Sequence, residues 1–334
     1  MKKIINNPEH VVEDMLNGIV AAYPNQLKRI ENTTVIARKD APVPNKVGLI
    51  SGGGSGHEPA HAGYVGKGML DAAVAGEVFT SPTPDQVFEA IKAVNSGAGV
   101  FMVIKNYTGD VMNFEMAAEL AEAEGIPVEK VIVNDDVAVE NSSYTIGRRG
   151  IAGTVFVHKI AGAKAETGAS LAEIKAVADK VVQNVRSMGM AISPCTVPQA
   201  GKPSFELKEN EMEIGMGIHG EPGIERKTIQ KADDIAEELT AKILEDIEIN
   251  QDDEVAVLIN GLGATPEMEL YIVNRKVQEI LSEKGIKVIE TFVGNYMTSL
   301  EMAGCSVTLL KLDDELKELL AAESKAPAFR KYSD

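Results

Sequence analysis

The chain has 334 residues and a formal net charge of -17, from 33 Lys plus Arg against 50 Asp plus Glu. Hydrophobic residues at 44% and charged residues at 25% make an ordinary globular mixture, which excludes a disordered chain, a collagen and a disulfide scaffold. Aromatics at 4%, the absence of Trp and the acidic balance argue against nucleic acid and anionic membrane as partners.

The N-terminus begins with Lys2 and Lys3, but only Ile4 and Ile5 follow before Asn6, Asn7 and Pro8. A secretory signal needs an apolar stretch of about 7–15 residues, and a membrane span roughly 18 or more. Neither is found, so a cytoplasmic location is expected. Two cysteines, Cys195 and Cys305, fit a reducing compartment and read as small buried hydrophobes.

Residues 46–50 (Lys-Val-Gly-Leu-Ile) read as a buried strand running at once into a glycine-rich turn, Ser51 to Gly56. Val100–Ile104 is a second strand, followed by Lys105-Asn106-Tyr107-Thr108-Gly109-Asp110. A helix is expected over Asn113–Glu124 and a third strand over Val131–Val133. Strand, loop, helix, strand marks an α/β domain with largely parallel pairing. Ser170 and Glu173 form a capping-box pattern. Apolar residues from Leu171 through Val185 and Met188 then keep helical spacing.

Pro194, Pro198 and Pro203 follow, in a stretch with little periodicity. The domain division is set near residue 190, giving an N-terminal α/β domain (1–190) and a smaller C-terminal α/β domain (191–334). In the second, a helix is expected from Ile229 to Ile243, a strand at Val255–Ile259 and a helix at Glu267–Glu283. Further strands are expected at 287–292 and 306–310. From Asp313 a charged helix and a loose end complete the chain, with the helix able to pack back on the first domain.

The glycine loop Ser51-Gly52-Gly53-Gly54-Ser55-Gly56-His57-Glu58-Pro59 lacks the Gly-Lys-Ser/Thr ending of a phosphate-binding P-loop. It also misses the dinucleotide fingerprint and the nucleophile elbow. At a strand's carboxyl end, it lets a ligand approach the backbone closely. Of the five histidines, His57 and His219 sit in such loops, the latter in Gly217-Ile218-His219-Gly220-Glu221-Pro222-Gly223. An imidazole there can act as acid, base or nucleophile. His57-Glu58-Pro59-Ala60-His61 matches the letters of a zinc-binding helix motif, but no third ligand is evident and no metal is expected. His10 reads as a surface residue and His158 as a packed one. If strands 47–50 and 100–104 are neighbours, His57, Lys105 and Asp110 converge on one crevice. Taken alone, Asp110 also reads as a helix N-cap.

Five motifs in order resemble the dihydroxyacetone kinase family over about residues 8–330. They are Gly52–Pro59, Lys105–Asp110, Gly147-Arg148-Arg149-Gly150, Gly217–Gly223 and Tyr296-Met297-Thr298-Ser299-Leu300. The resemblance is to the dihydroxyacetone-binding subunit type. It implies that His219 attacks the substrate ketone and holds it as a hemiaminal. It also implies that Gly54, Ser55, Gly56, His57, Lys105 and Asp110 bind the substrate hydroxyls. His57 and Asp110 would be the acid/base pair that activates the terminal hydroxyl. ATP-dependent relatives carry a further nucleotide-binding domain, and this chain stops at Asp334 without one. The resemblance therefore implies a DhaL-type partner subunit carrying ADP or ATP with Mg²⁺, recharged by a DhaM-type phosphocarrier of the phosphoenolpyruvate-dependent phosphotransferase system. No cofactor is expected on this chain, and a homodimer is expected. The alternatives are a dihydroxyacetone-binding transcriptional co-activator without turnover, and a metal hydrolase on His57 and His61.

Overall fold

A computed structural model describes residues 2–139, 147–221 and 223–332, so Pro222 of the second histidine loop lies outside the described residues. The N-terminal lobe runs α1 (Val11–Ala22), β1 (Leu27–Arg29), β2 (Val35–Arg38), β3 (Gly48–Ser55) and β4 (Ala72–Val78). It continues with α2 (Pro84–Val94), β5 (Val100–Lys105), α3 (Thr108–Ala123) and β6 (Val128–Val133). These six strands form one sheet in the order β1-β2-β4-β3-β5-β6. Strands β4, β3, β5 and β6 are parallel, while β2 and β1 are added antiparallel at one edge.

Every residue of β3 and β5 is buried, as expected of parallel strands covered on both faces. The period of two sorts their side chains. Ile50, Met102 and Ile104 pack on α2 and α3. Leu49, Phe101 and Val103 face the opposite core, which contains α4 (Thr154–Glu166) and α5 (Leu171–Asn184).

The glycine run is not a turn but the last half of β3, paired with β4 through Ser55. A β-carbon on Gly54 would come within 2.5 Å of the Thr80 amide nitrogen, so this close approach of two backbones needs glycine. Residues 56–61 then form bends and turns rather than a helix. The helical reading of His57-Glu58-Pro59-Ala60-His61 is therefore not realised.

The capping box of Ser170 and Glu173 forms as expected. However, α5 ends at Asn184, and Val185 and Met188 belong to β7 (Val185–Ala191). Apolar spacing alone could not separate the two, because tertiary pairing with a distant strand decides the end of the helix. The remaining elements are β8 (Glu211–Ile214), β9 (Glu225–Thr228), α6 (Ala232–Asp246), β10 (Glu254–Gly261), α7 (Glu267–Glu283), β11 (Lys287–Gly294) and β12 (Gly304–Leu312). Helix α8 (Asp314–Ala321) and a hairpin of β13 (Ser324–Ala326) and β14 (Phe329–Lys331) complete the chain.

The second sheet has the order β11-β10-β12-β7-β8-β9. Only its β10–β11 pair is parallel, so the second lobe is α/β with a largely antiparallel sheet. Helices α6 and α7 cover one face. The other face, with Ala256, Leu258 and Leu310, shares one continuous core with α4, α5 and the first sheet.

Helix α4 lies in that shared core, with 11 of its 13 residues buried. A helix covered all round has no polar face and gives no amphipathic signal. The tail is not loose: Ala326 and Phe329 are buried, and the backbone N–H of Ala328 donates to Gly63 O at 2.9 Å. Helix α8 packs back on α4, where Lys159 Nζ donates to Leu319 O at 2.6 Å. Both cysteines are buried free thiols.

Candidate active site

Strands β3 and β5 are direct neighbours, so their carboxyl ends deliver His57, Lys105 and Asp110 to one side of the first sheet. The second lobe closes this side with two segments. Residues 215–221 follow β8 and carry His219, and residues 295–300 follow β11. A cavity of about 480 Å³ opens between the first lobe and the His219 loop, lined by Gly54, Phe79, Thr80, Ser81, Tyr107, Gly109, Asp110, Asn113 and His219.

The two loop histidines touch. His57 Nε2 lies 3.0 Å from His219 Nε2, and the rings meet edge-on. Their outer nitrogens are held by acceptors. His57 Nδ1–H donates to the Thr298 carbonyl at 2.8 Å, and His219 Nδ1–H donates to Glu221 Oε1 at 3.0 Å. With both Nδ1 atoms committed as donors, the Nε2–Nε2 contact is a hydrogen bond only when one ring carries a proton between them. Removing that proton leaves a lone pair on each Nε2, of which that of His219 belongs to a ring that lines the cavity.

Glu221 is the orienting group of the pair. Its Oε2 also accepts the His219 backbone N–H at 2.9 Å. Burial pushes its carboxyl up, but the His219 ring and the Arg149 guanidinium overcome this and hold it at about 2. Gly217 makes this possible, because a β-carbon there would fall 2.0 Å from Glu221 Oε2. Arg149 is fully buried, pairs with Asp136 and donates to Gly215 O at 2.7 Å, which ties the loop to the first lobe.

His57 is fully buried, and burial pushes its pKa well below the usual histidine value, assisted by His219 and Lys105. It rests as a neutral base. Phe79 stacks on its ring with centroids 5.1 Å apart, while Phe79 and Tyr107 present edges to His219 at 5.3 and 4.5 Å. These aromatic contacts fix both imidazole planes.

Across the cavity, Asp110 lies in the first turn of α3, whose N-cap is Tyr107, so the N-cap reading of Asp110 is not realised. Its Oδ2 is 3.8 Å from Lys105 Nζ. Lys105 is fully buried and its ammonium finds no hydrogen-bond partner among the described residues. Burial lowers its pKa, opposed by Asp110 and Glu221. A buried ammonium with unused donors beside a polar cavity is suited to a hydroxylated ligand.

Gly54, Asp110 and His219 thus line one cavity, with His57 in contact behind His219 and Lys105 beside Asp110. Ser55 and Gly56 are adjacent, but their polar groups are engaged elsewhere. Ser55 Oγ donates to Gly76 O at 2.7 Å, and the Gly56 N–H donates to the Glu58 carboxylate at 3.1 Å. Sequence reasoning missed Phe79 and Asn113 as site residues, and assigned no role to Glu221 or Thr298, although both lie in the family motifs. Glu221 was findable, as a carboxylate two residues from a loop histidine. The Thr298 carbonyl was marked only by the family motif that contains it, since any residue supplies a carbonyl.

His61 faces His158 instead, with His61 Nδ1 2.9 Å from His158 Nε2. Among the described residues no group of three or more His, Cys, Asp or Glu side chains is arranged to hold a metal ion. No helix among them is long and apolar enough to cross a membrane.

The family model of the Dak1 domain matches residues 17–328. The dihydroxyacetone-binding subunit DhaK of a PTS-dependent dihydroxyacetone kinase from Listeria innocua is 58% identical, over 94% of this chain and 95% of that relative. Among solved structures, the dihydroxyacetone kinase operon co-activator Dha-DhaQ superimposes with a TM-score of 0.90 at 39% identity, covering 96% of this chain and 99% of the other. The dihydroxyacetone kinase of C. freundii in complex with AMP-PNP and Mg²⁺ superimposes with a TM-score of 0.89 at 38% identity, covering 99% of this chain and 61% of that one.

Proposed function

This chain belongs to the Dak1 domain family, and from that premise we propose that it is the dihydroxyacetone-binding subunit of a phosphotransferase-system-dependent kinase. It works in the cytoplasm, as a homodimer, with a nucleotide-bearing DhaL-type subunit that a DhaM-type phosphocarrier recharges. The product is dihydroxyacetone phosphate. The observation that carries this reading is the Glu221–His219–His57–Thr298 chain, which aims a nucleophilic imidazole at a small polar cavity.

His219 Nε2 attacks the central carbonyl carbon of dihydroxyacetone. A C–N bond forms, the carbonyl π pair moves to oxygen, and that oxygen takes a proton from solvent, relayed through the neutral His57 Nε2. The product is a hemiaminal whose imidazolium charge faces Glu221. Glycerol has no carbonyl and cannot be held in this way. Lys105 donates to a substrate hydroxyl, with Gly54 allowing close approach and Ser55 and Gly56 shaping the wall. His57 and Asp110 then divide the acid/base work by position. His57 manages the proton of the carbonyl oxygen beside His219. Asp110, across the cavity, takes the proton of the terminal hydroxyl as its oxygen attacks phosphorus. The donor and its Mg²⁺ arrive on the partner, and this chain supplies positioning and the base.

The test compares triose phosphate formation in two reactions. One contains this chain, dihydroxyacetone, ATP and Mg²⁺. The other adds a DhaL-type subunit, the phosphocarriers and phosphoenolpyruvate. Product only in the second is the expected result. Product in the first would overturn the need for a donor subunit. A covalent adduct without turnover in either would move the assignment to the co-activator class, to which a structure with TM-score 0.90 belongs.

A further inference from the structure

Helix α3 does two things with one face. Its N-terminal turns line the active-site cavity through Gly109 and Asn113. Residues three, four, seven and eleven positions along a helix from a starting residue lie on the same side. Counted from Gly109, those positions are Met112, Asn113, Met116 and Leu120. The three apolar ones are 56%, 51% and 47% exposed. The wall of the cavity therefore continues outward as an apolar stripe along the same helix. The buried side of α3 is separate and carries Phe114, Ala117 and Ala121.

Most exposed charges around the stripe are acidic. Glu119, Glu122 and Glu124 are exposed, and Glu115 is paired with Lys130. The whole chain carries -17. Such a surface disfavours the approach of a free polyanionic nucleotide and favours a donor presented on a cationic protein face.

We propose that the exposed α3 stripe, Met112, Met116 and Leu120, is where the nucleotide-bearing partner subunit docks, placing its phosphates at the cavity mouth beside Asp110. This rests on the kinase reading above and names the surface that the reading requires. The partner's matching face has an apolar centre and a cationic rim that answers the α3 glutamates. A stripe of three side chains suits an encounter that forms and dissolves in each turnover, at the small end of interface size. A permanent dimer needs a larger apolar area than this.

The experiment measures turnover against concentration of a DhaL-type subunit loaded with ATP and Mg²⁺. The variants are Met116→Glu combined with Leu120→Glu, the milder Met116→Ala, and Met268→Glu as a control on an exposed residue of α7 (71% exposed). Glutamate keeps helix propensity at solvent-facing positions, so the fold should be retained. Adduct formation with dihydroxyacetone by each variant alone, read by mass spectrometry, checks the site directly. We expect the double variant to raise KM for the partner roughly tenfold, with Met116→Ala intermediate. KM for dihydroxyacetone, adduct formation and the Met268→Glu control should stay unchanged. Added salt should raise the wild-type KM for the partner.

An unchanged partner KM in the double variant overturns the inference and leaves the kinase reading standing. So does an equal rise in Met268→Glu. A shift in sedimentation from dimer to monomer without a change in partner KM assigns the stripe to a second copy and overturns it too. Wild-type chain that forms the adduct but transfers no phosphoryl group is a different result, and removes the kinase reading itself.

Discussion

Four of the five histidines form two pairs with nearly the same nitrogen separation, 3.0 Å for His57–His219 and 2.9 Å for His61–His158. What surrounds them differs. In the first pair both outer nitrogens are anchored, on the Thr298 carbonyl and on Glu221, and His219 lines a cavity. In the second, His61 Nε2 and His158 Nδ1 are buried without a hydrogen-bond partner among the described residues, and His158 belongs to the central helix α4. The first pair joins loops of two lobes, while the second lies within the packed core. An imidazole pair becomes chemically useful when its tautomers are fixed and a substrate can reach it, and contact between the rings is not enough.

The contrast is sharpest at Asp110, which lines the same cavity as His219. Asp110→Asn should lower kcat by roughly 10²–10⁴-fold while leaving adduct formation intact, read by steady-state kinetics and by mass spectrometry. Wild-type turnover in this variant would remove Asp110 as the base. His219→Ala should abolish the adduct and lower kcat/KM by roughly 10²–10³-fold, mainly through KM, with little change in melting temperature. A trapped adduct in His219→Ala would break the assignment of the nucleophile.

Glu221→Gln keeps the shape of the carboxylate but removes its charge. It should slow adduct formation roughly tenfold, because the ring loses both its tautomer lock and the counter-charge of the imidazolium. Equal rates in the variant and the wild type would reduce Glu221 to a loop-building residue.

The core pair makes the smallest and purely structural prediction. Burial, with Lys105 nearby, lowers the pKa of His158 from its ordinary 6.5 to about 3. The folded chain then excludes a proton that the unfolded chain accepts. This contribution is complete above pH 6.5 and is lost as pH falls below it, by about 2 kcal/mol near pH 5. His158→Asn should flatten the acid side of a urea-denaturation series by about that amount and leave KM for dihydroxyacetone unchanged. An unchanged acid slope would show that His158 does not carry this proton linkage.

Much of the fold was legible because it was local. The strand at Val100–Ile104, the helix over Glu267–Glu283 and the Ser170 cap follow from apolar runs, period and capping chemistry. Helix α4 was not legible, because burial on all sides leaves no pattern. Neither was the end of α5, where Val185 and Met188 keep helical spacing inside a strand. The glycine run looked like a turn because three glycines usually mean one. Only the backbone of Phe79 and Thr80 crowding against Gly54 explains an extended strand there.

In the site, His57, Lys105, Asp110 and His219 were legible from scarce residue types set in glycine loops and from the family motifs that contain them. The sequence by itself determined which side chains have the chemistry and that strands would end beside them. It could not decide which histidine meets which, since His57 and His61 are four residues apart and turn to different partners 162 and 97 residues away. Nor could it show that a backbone carbonyl at Thr298 fixes one tautomer and Glu221 the other. Those contacts join residues of two lobes packed around a shared helical core. Their geometry depends on how the sheets are held there, and that is a property of tertiary packing.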